Sequence, residues 1–155
     1  MGIEIERKYL VKNDSWRKNV QKSYEILQSY FDLKNAVFRA RIVGDSKAFL
    51  TIKILGSGIS RKEFEYEIPV SDARELVSAL CSLPPIEKVR YEINFAGKKW
   101  EVDEFEGLNK GLILAEIELE DENEYFEKPE WLGEEVTGNP QYSNSSLYRK
   151  PFSRW

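Results

Sequence analysis

Along most of this chain charged and apolar residues alternate one for one, and the charges are sorted by sign from run to run. The opening GIEIERKYLV sets Glu4, Glu6 and Lys8 on one parity, with Ile3, Ile5 and Tyr9 on the other. Successive side chains of a β-strand point to opposite faces. One strand of this kind therefore carries its charges on one face and its apolar groups on the other.

The same habit returns down the sequence. Arg39 and Arg41 alternate with Phe38, Ala40 and Ile42, and Lys53 stands between Ile52 and Ile54. Glu63, Glu65 and Glu67 alternate with Phe64, Tyr66 and Ile68; Lys88 and Arg90 alternate with Val89 and Tyr91. Asp103 neighbours Val102, and Glu116, Glu118 and Glu120 alternate with Ile117 and Leu119. Only the run over 24–33 departs, with Gln28 and Tyr30 where charges would stand.

Strands are expected over 2–11, 24–33, 36–43, 47–55, 61–69, 86–95, 98–106 and 111–121. The segments LKN, VGDS, GSGIS, FAGK and EGLNKG between them supply turn-forming Gly, Asn, Asp and Ser. Helices are expected over 14–22, over 72–83 and over 129–136. Ser71 would cap the second, Leu76, Val77, Leu80 and Leu83 would form its apolar stripe, and Pro84-Pro85 would stop it. Pro129 suits the first turn of the third, and a short fourth helix begins near Ser143. Mostly consecutive antiparallel strands with few helices predict a mainly β fold, a closed eight-stranded antiparallel barrel or a strongly curled sheet. The 155 residues suit one domain over 1–155.

Two readings of the charged face stand side by side. A half-buried sheet has one solvated face, where opposite charges pair for ~0.2–1 kcal/mol each. Such faces normally mix in Ser, Thr and Gln, whereas here nearly every position is ionised. If the sheet closes with this face inward, the charges line a tunnel. Buried charge is costly unless paired or bound to ions. Converging Lys and Arg suit a phosphate chain, and the surplus carboxylates suit divalent cations that bridge them to phosphate oxygens.

Composition narrows the chemistry. The absence of histidine removes Ser/His and Cys/His catalysis and histidine-based zinc sites. A net charge of −4 without a separate basic block disfavours a nucleic-acid partner. The single cysteine, Cys81, precludes an internal disulfide and is expected as an inert, buried helix residue. The opening residues hold no apolar signal core, and no apolar run reaches the ~18 residues of a membrane span. A cytoplasmic protein that meets no membrane is expected. Trp16, Trp131 and Trp155 leave a homodimer through exposed aromatics open.

These segments resemble the CYTH superfamily, the triphosphate tunnel metalloenzymes, and its small bacterial inorganic triphosphatases in particular. EIERK matches the family's ExExK signature; FRARI, TIK, EFEYEI, KVRY, WEVDEF and AEIELE follow in family order, and VTGNPQYSNSSL resembles its VT…YxNxxL segment. The resemblance covers essentially the whole chain. It implies an eight-stranded tunnel that binds triphosphate compounds with Mg²⁺ or Mn²⁺. Glu4, Glu6 and Glu118 would be metal ligands, with Glu116 and Asp103 close to the same role. Lys8, Arg39, Arg41, Lys53, Lys88 and Arg90 would hold phosphates. Glu63 and Glu65 would position or deprotonate a water or help a second metal, Lys8 would join them as a catalytic residue, and the segment around Tyr142 and Asn144 would form a helix near one mouth.

The resemblance implies hydrolysis of the terminal phosphate of inorganic triphosphate. Adenylate cyclase and thiamine or nucleoside triphosphatase are the alternatives within the family, and an RNA 5′-triphosphatase is less favoured. Outside enzymology, a module that binds polyphosphate without turnover is the rival.

Overall fold

The computed structural model describes residues 2–32, 34–56 and 58–155, without the side chain of Asp32. The expected LKN and GSGIS turns each include a residue outside this set, Leu33 and Ser57. In chain order the strands are β1 (Gly2–Val11), β2 (Val20–Asp32), β3 (Ala36–Val43), β4 (Lys47–Ile54), β5 (Ser60–Ile68), β6 (Ile86–Phe95), β7 (Lys98–Phe105), β8 (Ile113–Glu118) and β9 (Leu132–Glu135). The helices are α1 (Val70–Leu80) and α2 (Asn144–Arg149).

The sheet runs β5-β4-β3-β2-β6-β7-β8-β1, and β1 then pairs back onto β5 to close an eight-stranded antiparallel barrel. Closure is short: Gly2–Ile5 of β1 face Ser60–Glu63 of β5. Beyond Ile5 the edge of β1 would carry unpaired backbone, and β9 takes it, with Tyr9 opposite Glu135 and Val11 opposite Leu132. Flanking bonds extend the seam, from Lys12 N to Trp131 O at 3.0 Å and from Val136 N to Lys8 O at 2.8 Å. A Cβ at Gly133 would sit 2.9 Å from the Leu10 carbonyl oxygen, so glycine admits this close approach.

That seam overturns the helix expected over 129–136. Its backbone finds its strand partners on β1, more than a hundred residues away in sequence, and Trp131 and Leu132 are buried in the core. The helix expected over 14–22 shrinks to one 3₁₀ turn, Ser15–Asn19. It seats the fully buried Trp16 against Tyr91, with the Arg17 guanidinium 4.2 Å above the indole. From Val20 the chain already pairs with β6. Helix α1 starts after Pro69 rather than at a Ser71 cap, and its buried residue is Ala73. Leu80 and Leu83, expected in its apolar stripe, are exposed. Cys81 lies just past the helix, half-buried, its thiol 3.6 Å from the Tyr30 carbonyl. The helix expected near Ser143 is present as α2, with Ser143 Oγ accepting from Ser146 N.

The apolar mass lies largely outside the barrel wall. Ile5, Tyr9, Ile93, Trp100, Val102, Ala115 and Ile117, all on the parity opposite to the charges, pack with Trp16, Leu119, Trp131 and Leu132. A smaller cluster of Ile42, Ala48 and Ala73 seats α1 on β3 and β4. The third cluster shares the parity of the charges: Tyr30, Ile86, Phe105 and Leu114 point inward and meet Leu147 and Tyr148 of α2. One end of the interior is thus closed by apolar side chains and α2. Of the tryptophans left open for a dimer surface, Trp16 and Trp131 are core residues and Trp155 remains exposed.

The two-residue turn between β6 and β7 carries a local strain. Phe95 pairs with Lys98, and Ala96 and Gly97 both have positive φ, 47° and 76°. A left-handed alanine costs roughly 1–2 kcal/mol that glycine avoids, against a smaller unfolded-state cost for glycine. Ala96→Gly should raise stability by about 0.5–1 kcal/mol, seen as a higher urea midpoint at unchanged slope.

Candidate active site

Closure turns the charged parity of the barrel strands toward the interior, and register sets who meets whom; Glu120 lies past the end of β8. Arg39, Thr51 and Glu65 lie side by side across β3, β4 and β5, with Lys53 beside Glu63. Lys8, Glu116, Glu101 and Glu92 form one row across β1, β8, β7 and β6. Glu6 faces Glu118, and Arg90 faces Asp103.

The densest cluster is buried. Asp103, 1% exposed, accepts from Arg90 Nε at 2.7 Å and Nη2 at 2.9 Å, and from Lys88 Nζ at 2.7 Å. Burial opposes charge on Asp103, but Arg90 and Lys88 outweigh it and hold its carboxyl far below the usual range. Both carboxylate oxygens, expected near a metal, are thus spent on bases. Lys88 also donates to Asn144 Oδ1 at 2.9 Å. Burial, with Arg90 and Arg41 nearby, pulls the Lys88 ammonium down to about 7 although Asp103 supports its charge.

Around this cluster other pairs are looser. Lys8 Nζ donates to the Tyr142 carbonyl at 3.1 Å and lies 3.7 Å from Glu116. Burial works against its charge, yet Glu116 and Glu6 raise its pKa on balance. Glu116 is likewise opposed by burial, and Lys8 and Arg90 bring its pKa down. Lys53 Nζ grips both oxygens of Glu4, at 2.8 and 3.0 Å.

Some groups remain uncompensated. Glu6 has no hydrogen-bond or ion-pair partner among the described residues. Burial, then Glu116 and Glu4, push its pKa up to about 8. Glu118, exposed, is raised by burial and by Glu4 and Glu101, and Glu63 by burial and Glu4. Arg41 donates through Nε to Gln28 at 2.7 Å and has no carboxylate partner among the described residues. Burial, Arg39 and Arg90 lower it to about 10. Arg39 has a buried Nε without an acceptor.

The carboxylates of Glu4, Glu6, Glu116 and Glu118, of which Glu6 and Glu118 have no ion-pair partner among the described residues, are the donor chemistry of a hard divalent cation. Among the described residues no three of them converge on one point closely enough to hold an ion, and Glu4 is held by Lys53. The end of the interior away from α2 opens into a cavity of about 510 Å³, lined by Lys22, Tyr24, Arg41, Phe49, Arg90 and Glu101 among others.

Several further residues share the inner face with the sorted charges. Glu92 and Glu101 sit two residues from Arg90 and Asp103, so the same alternation could have found them. Thr51, neutral and next to Ile52, offers no such signal. Gln28, where the charged pattern lapses, is fully buried and links Arg41 to Tyr30 and Asn144.

Residues 2–151 match the model of the CYTH domain. The chain belongs to the CYTH family. An inorganic triphosphatase of Acetivibrio thermocellus is 50% identical over 157 aligned positions, covering 100% of this chain and 99% of that protein. Another, from Nitrosomonas europaea, is 32% identical over 93% of this chain and 95% of its own. A crystal structure of an inorganic triphosphatase superposes with a TM-score of 0.68 at 30% identity, over 96% of this chain and 95% of that one. At 19% identity and a TM-score of 0.55, a Hippeastrum protein described as an adenylyl cyclase with dominant triphosphatase activity shares the fold alone, over 78% of this chain and 80% of that one. In this CYTH chain the ExExK strand is β1, and the VT…YxNxxL segment supplies Thr137, which accepts from Lys8 N at 2.8 Å, together with α2.

The Glu6 charge predicts a pH signature. A carboxyl raised above its ordinary 4.5 binds more protons folded than unfolded, so stability falls as pH rises from about 4.5 to about 8. Glu6→Gln should flatten that part of the profile in EDTA. At pH 8 it should gain on the order of 2 kcal/mol after allowing for solvent at the group, and below pH 4.5 nothing. Urea melts across the range measure it.

Proposed function

We propose that this chain is a metal-dependent inorganic triphosphatase, which binds tripolyphosphate in the barrel interior and hydrolyses its terminal phosphate. One observation carries the reading. Buried basic donors without carboxylate or acceptor, Arg41 and the Nε of Arg39, share a closed interior with the uncompensated Glu6. An anion that brings a cation with it would satisfy both. The triphosphatase names of the full-length relatives support the same reading.

In this account Glu4, Glu6 and Glu118 hold Mg²⁺ or Mn²⁺, with Glu116 adjacent, and Asp103 anchors Lys88 and Arg90 instead of binding metal. A bound divalent ion supplies Lewis-acid stabilisation of charge on the phosphate oxygens. The protein's own contribution is placement. Lys8, Arg39, Arg41, Lys53, Lys88 and Arg90 fix the phosphate chain by charge-assisted hydrogen bonds, so that a water meets the terminal phosphorus in line. Phosphate oxygens would draw Lys53 from Glu4 and free that carboxylate for the ion.

Two groups are placed to accept the water's proton. Glu65, with Glu63 beside it on β5, keeps one oxygen free of hydrogen bonds, since Thr51 engages only the other. Lys88 is the second: burial lowers its ammonium to about 7, and to reach a water it would turn from both Asp103 and Asn144. The coexistence of metal-type carboxylates and phosphate-type bases favours turnover over a binding module, which would need only the bases.

We place the protein in the cytoplasm as a single CYTH domain over 1–155 acting on a small molecule; its one cysteine, Cys81, is unpaired. No helix among the described residues is long and apolar enough to cross a membrane.

Phosphate release from tripolyphosphate, ATP, thiamine triphosphate and pyrophosphate, with Mg²⁺, Mn²⁺ or EDTA, tests the proposal. Tripolyphosphate should be cleaved at least about tenfold faster than ATP, and EDTA should stop it; a tenfold margin corresponds to about 1.4 kcal/mol of discrimination. Cyclic AMP from ATP without phosphate release would move the chain to the cyclases. Binding without any product would make it a polyphosphate-binding module.

A further inference from the structure

The row Arg39–Thr51–Glu65 holds a buried base and a carboxylate in one long contact, short of a close two-bond pair. Thr51 is fully buried on β4, between the two in register. Its hydroxyl accepts from Arg39 Nη2 at 3.2 Å and donates to Glu65 Oε2 at 3.0 Å. A threonine hydroxyl has one proton to give, so the relay has a direction. The Arg39 Nη2 to Glu65 Oε2 distance is 3.5 Å, a single long contact.

That arrangement is not what the two charged groups would choose alone. Guanidinium and carboxylate prefer two parallel bonds at about 2.7–2.9 Å, the geometry that Arg90 makes with Asp103 in this same interior. Arg39 has strong reason to seek it, since its side chain is 8% exposed and its Nε lacks an acceptor. Glu65 has the freedom to supply it, because its side chain is 44% exposed. Between them stands a β-branched residue with few χ1 options in a strand, its hydroxyl taking up one donor of Arg39 and one acceptor of Glu65.

We propose that Thr51 is a positioning residue that keeps Arg39 from closing onto Glu65, leaving Arg39 free for phosphate and one Glu65 oxygen free for water. The proposal rests on the triphosphate reading of the site. Without the hydroxyl, Arg39 would fold flat against Glu65, and an incoming phosphate would have to displace a bidentate ion pair.

Calorimetric binding of imidotriphosphate, a non-hydrolysable triphosphate, with Mg²⁺ present separates this from simple packing. The proteins compared are wild type, Thr51→Val, Thr51→Ser, Glu65→Gln and Thr51→Val/Glu65→Gln. Thr51→Val keeps the shape and should bind about tenfold more weakly, the scale of one charge-assisted hydrogen bond. Thr51→Ser should stay within about twofold of wild type. In the double variant the glutamine amide offers Arg39 no charge to close on, so binding should return to that of Glu65→Gln alone.

Thr51→Val binding as tightly as wild type would overturn the proposal, as would serine failing to rescue. A double variant as weak as Thr51→Val would show that Thr51 only packs the strand. If Thr51→Val does not fold, as judged by its thermal melt, Thr51→Ala with and without Glu65→Gln gives the same comparison. A wild-type protein that binds no imidotriphosphate would strike the triphosphate reading itself and the Thr51 role with it. Every other adverse result strikes Thr51 alone.

Discussion

Asp103 lies between Arg90 and Lys88 with almost no contact with water, and the rest of the barrel is arranged around what that trio requires. Removing one partner from such a cluster would leave a charge stranded in the interior, at a cost of about 3–5 kcal/mol. Three adjacent elements, β6, β7 and α2, are therefore tied together by charge, with Asn144 taking a further proton of Lys88. Lys8 is tied in turn to Glu116 and to the Tyr142 carbonyl. Balance is tight around this trio and incomplete at Glu6, Glu118, Arg41 and the Nε of Arg39; of these, Arg41 lines the open cavity.

A barrel filled with ions cannot gain its stability from its own interior, so hydrophobic burial has moved to the outside. Trp100 is the centre of that outer core, with Tyr9, Phe126 and Trp131 edge-on to it at ring separations of 5.8, 5.8 and 5.7 Å. Aromatic edge-to-face contacts of this kind add to the area buried. The stretch from Leu119 to Leu132 wraps the wall to provide them, then returns as β9 along the free edge of β1. Core, closure and site thus share one strand: Ile5 and Tyr9 of β1 join the outer core, and Glu4, Glu6 and Lys8 stand on the other parity.

Much of this was legible because alternation is a local signal. All eight barrel strands, the sharing of one face by the charges and the short C-terminal helix follow from spacings within ten residues; that the face turns inward does not. What failed depends on distant partners. WLGEEV reads as a helix because nothing near it reveals the vacant edge of β1, and the 3₁₀ turn at Trp16 is fixed by Tyr91 on a strand far along the chain. The apolar stripe of α1 misleads for the same reason: the barrel wall fully buries Ala73, Leu76 and Val77 are only half-buried, and Leu80 is left in solvent. Within the site, sorting by charge found the ionised residues and passed over Thr51 and Gln28, whose roles come from hydrogen bonds to neighbours on other strands.

A crystal structure with Mn²⁺ and imidotriphosphate, phased to show the manganese by its anomalous signal, would test the central claim most directly. The account predicts manganese beside Glu4, Glu6 and Glu118. It predicts the triphosphate inside the barrel against Arg39, Arg41, Lys53, Lys88 and Arg90, with the Lys53–Glu4 pair opened. An ion and triphosphate bound on the outer surface, with the inner charges paired as they are here, would contradict it.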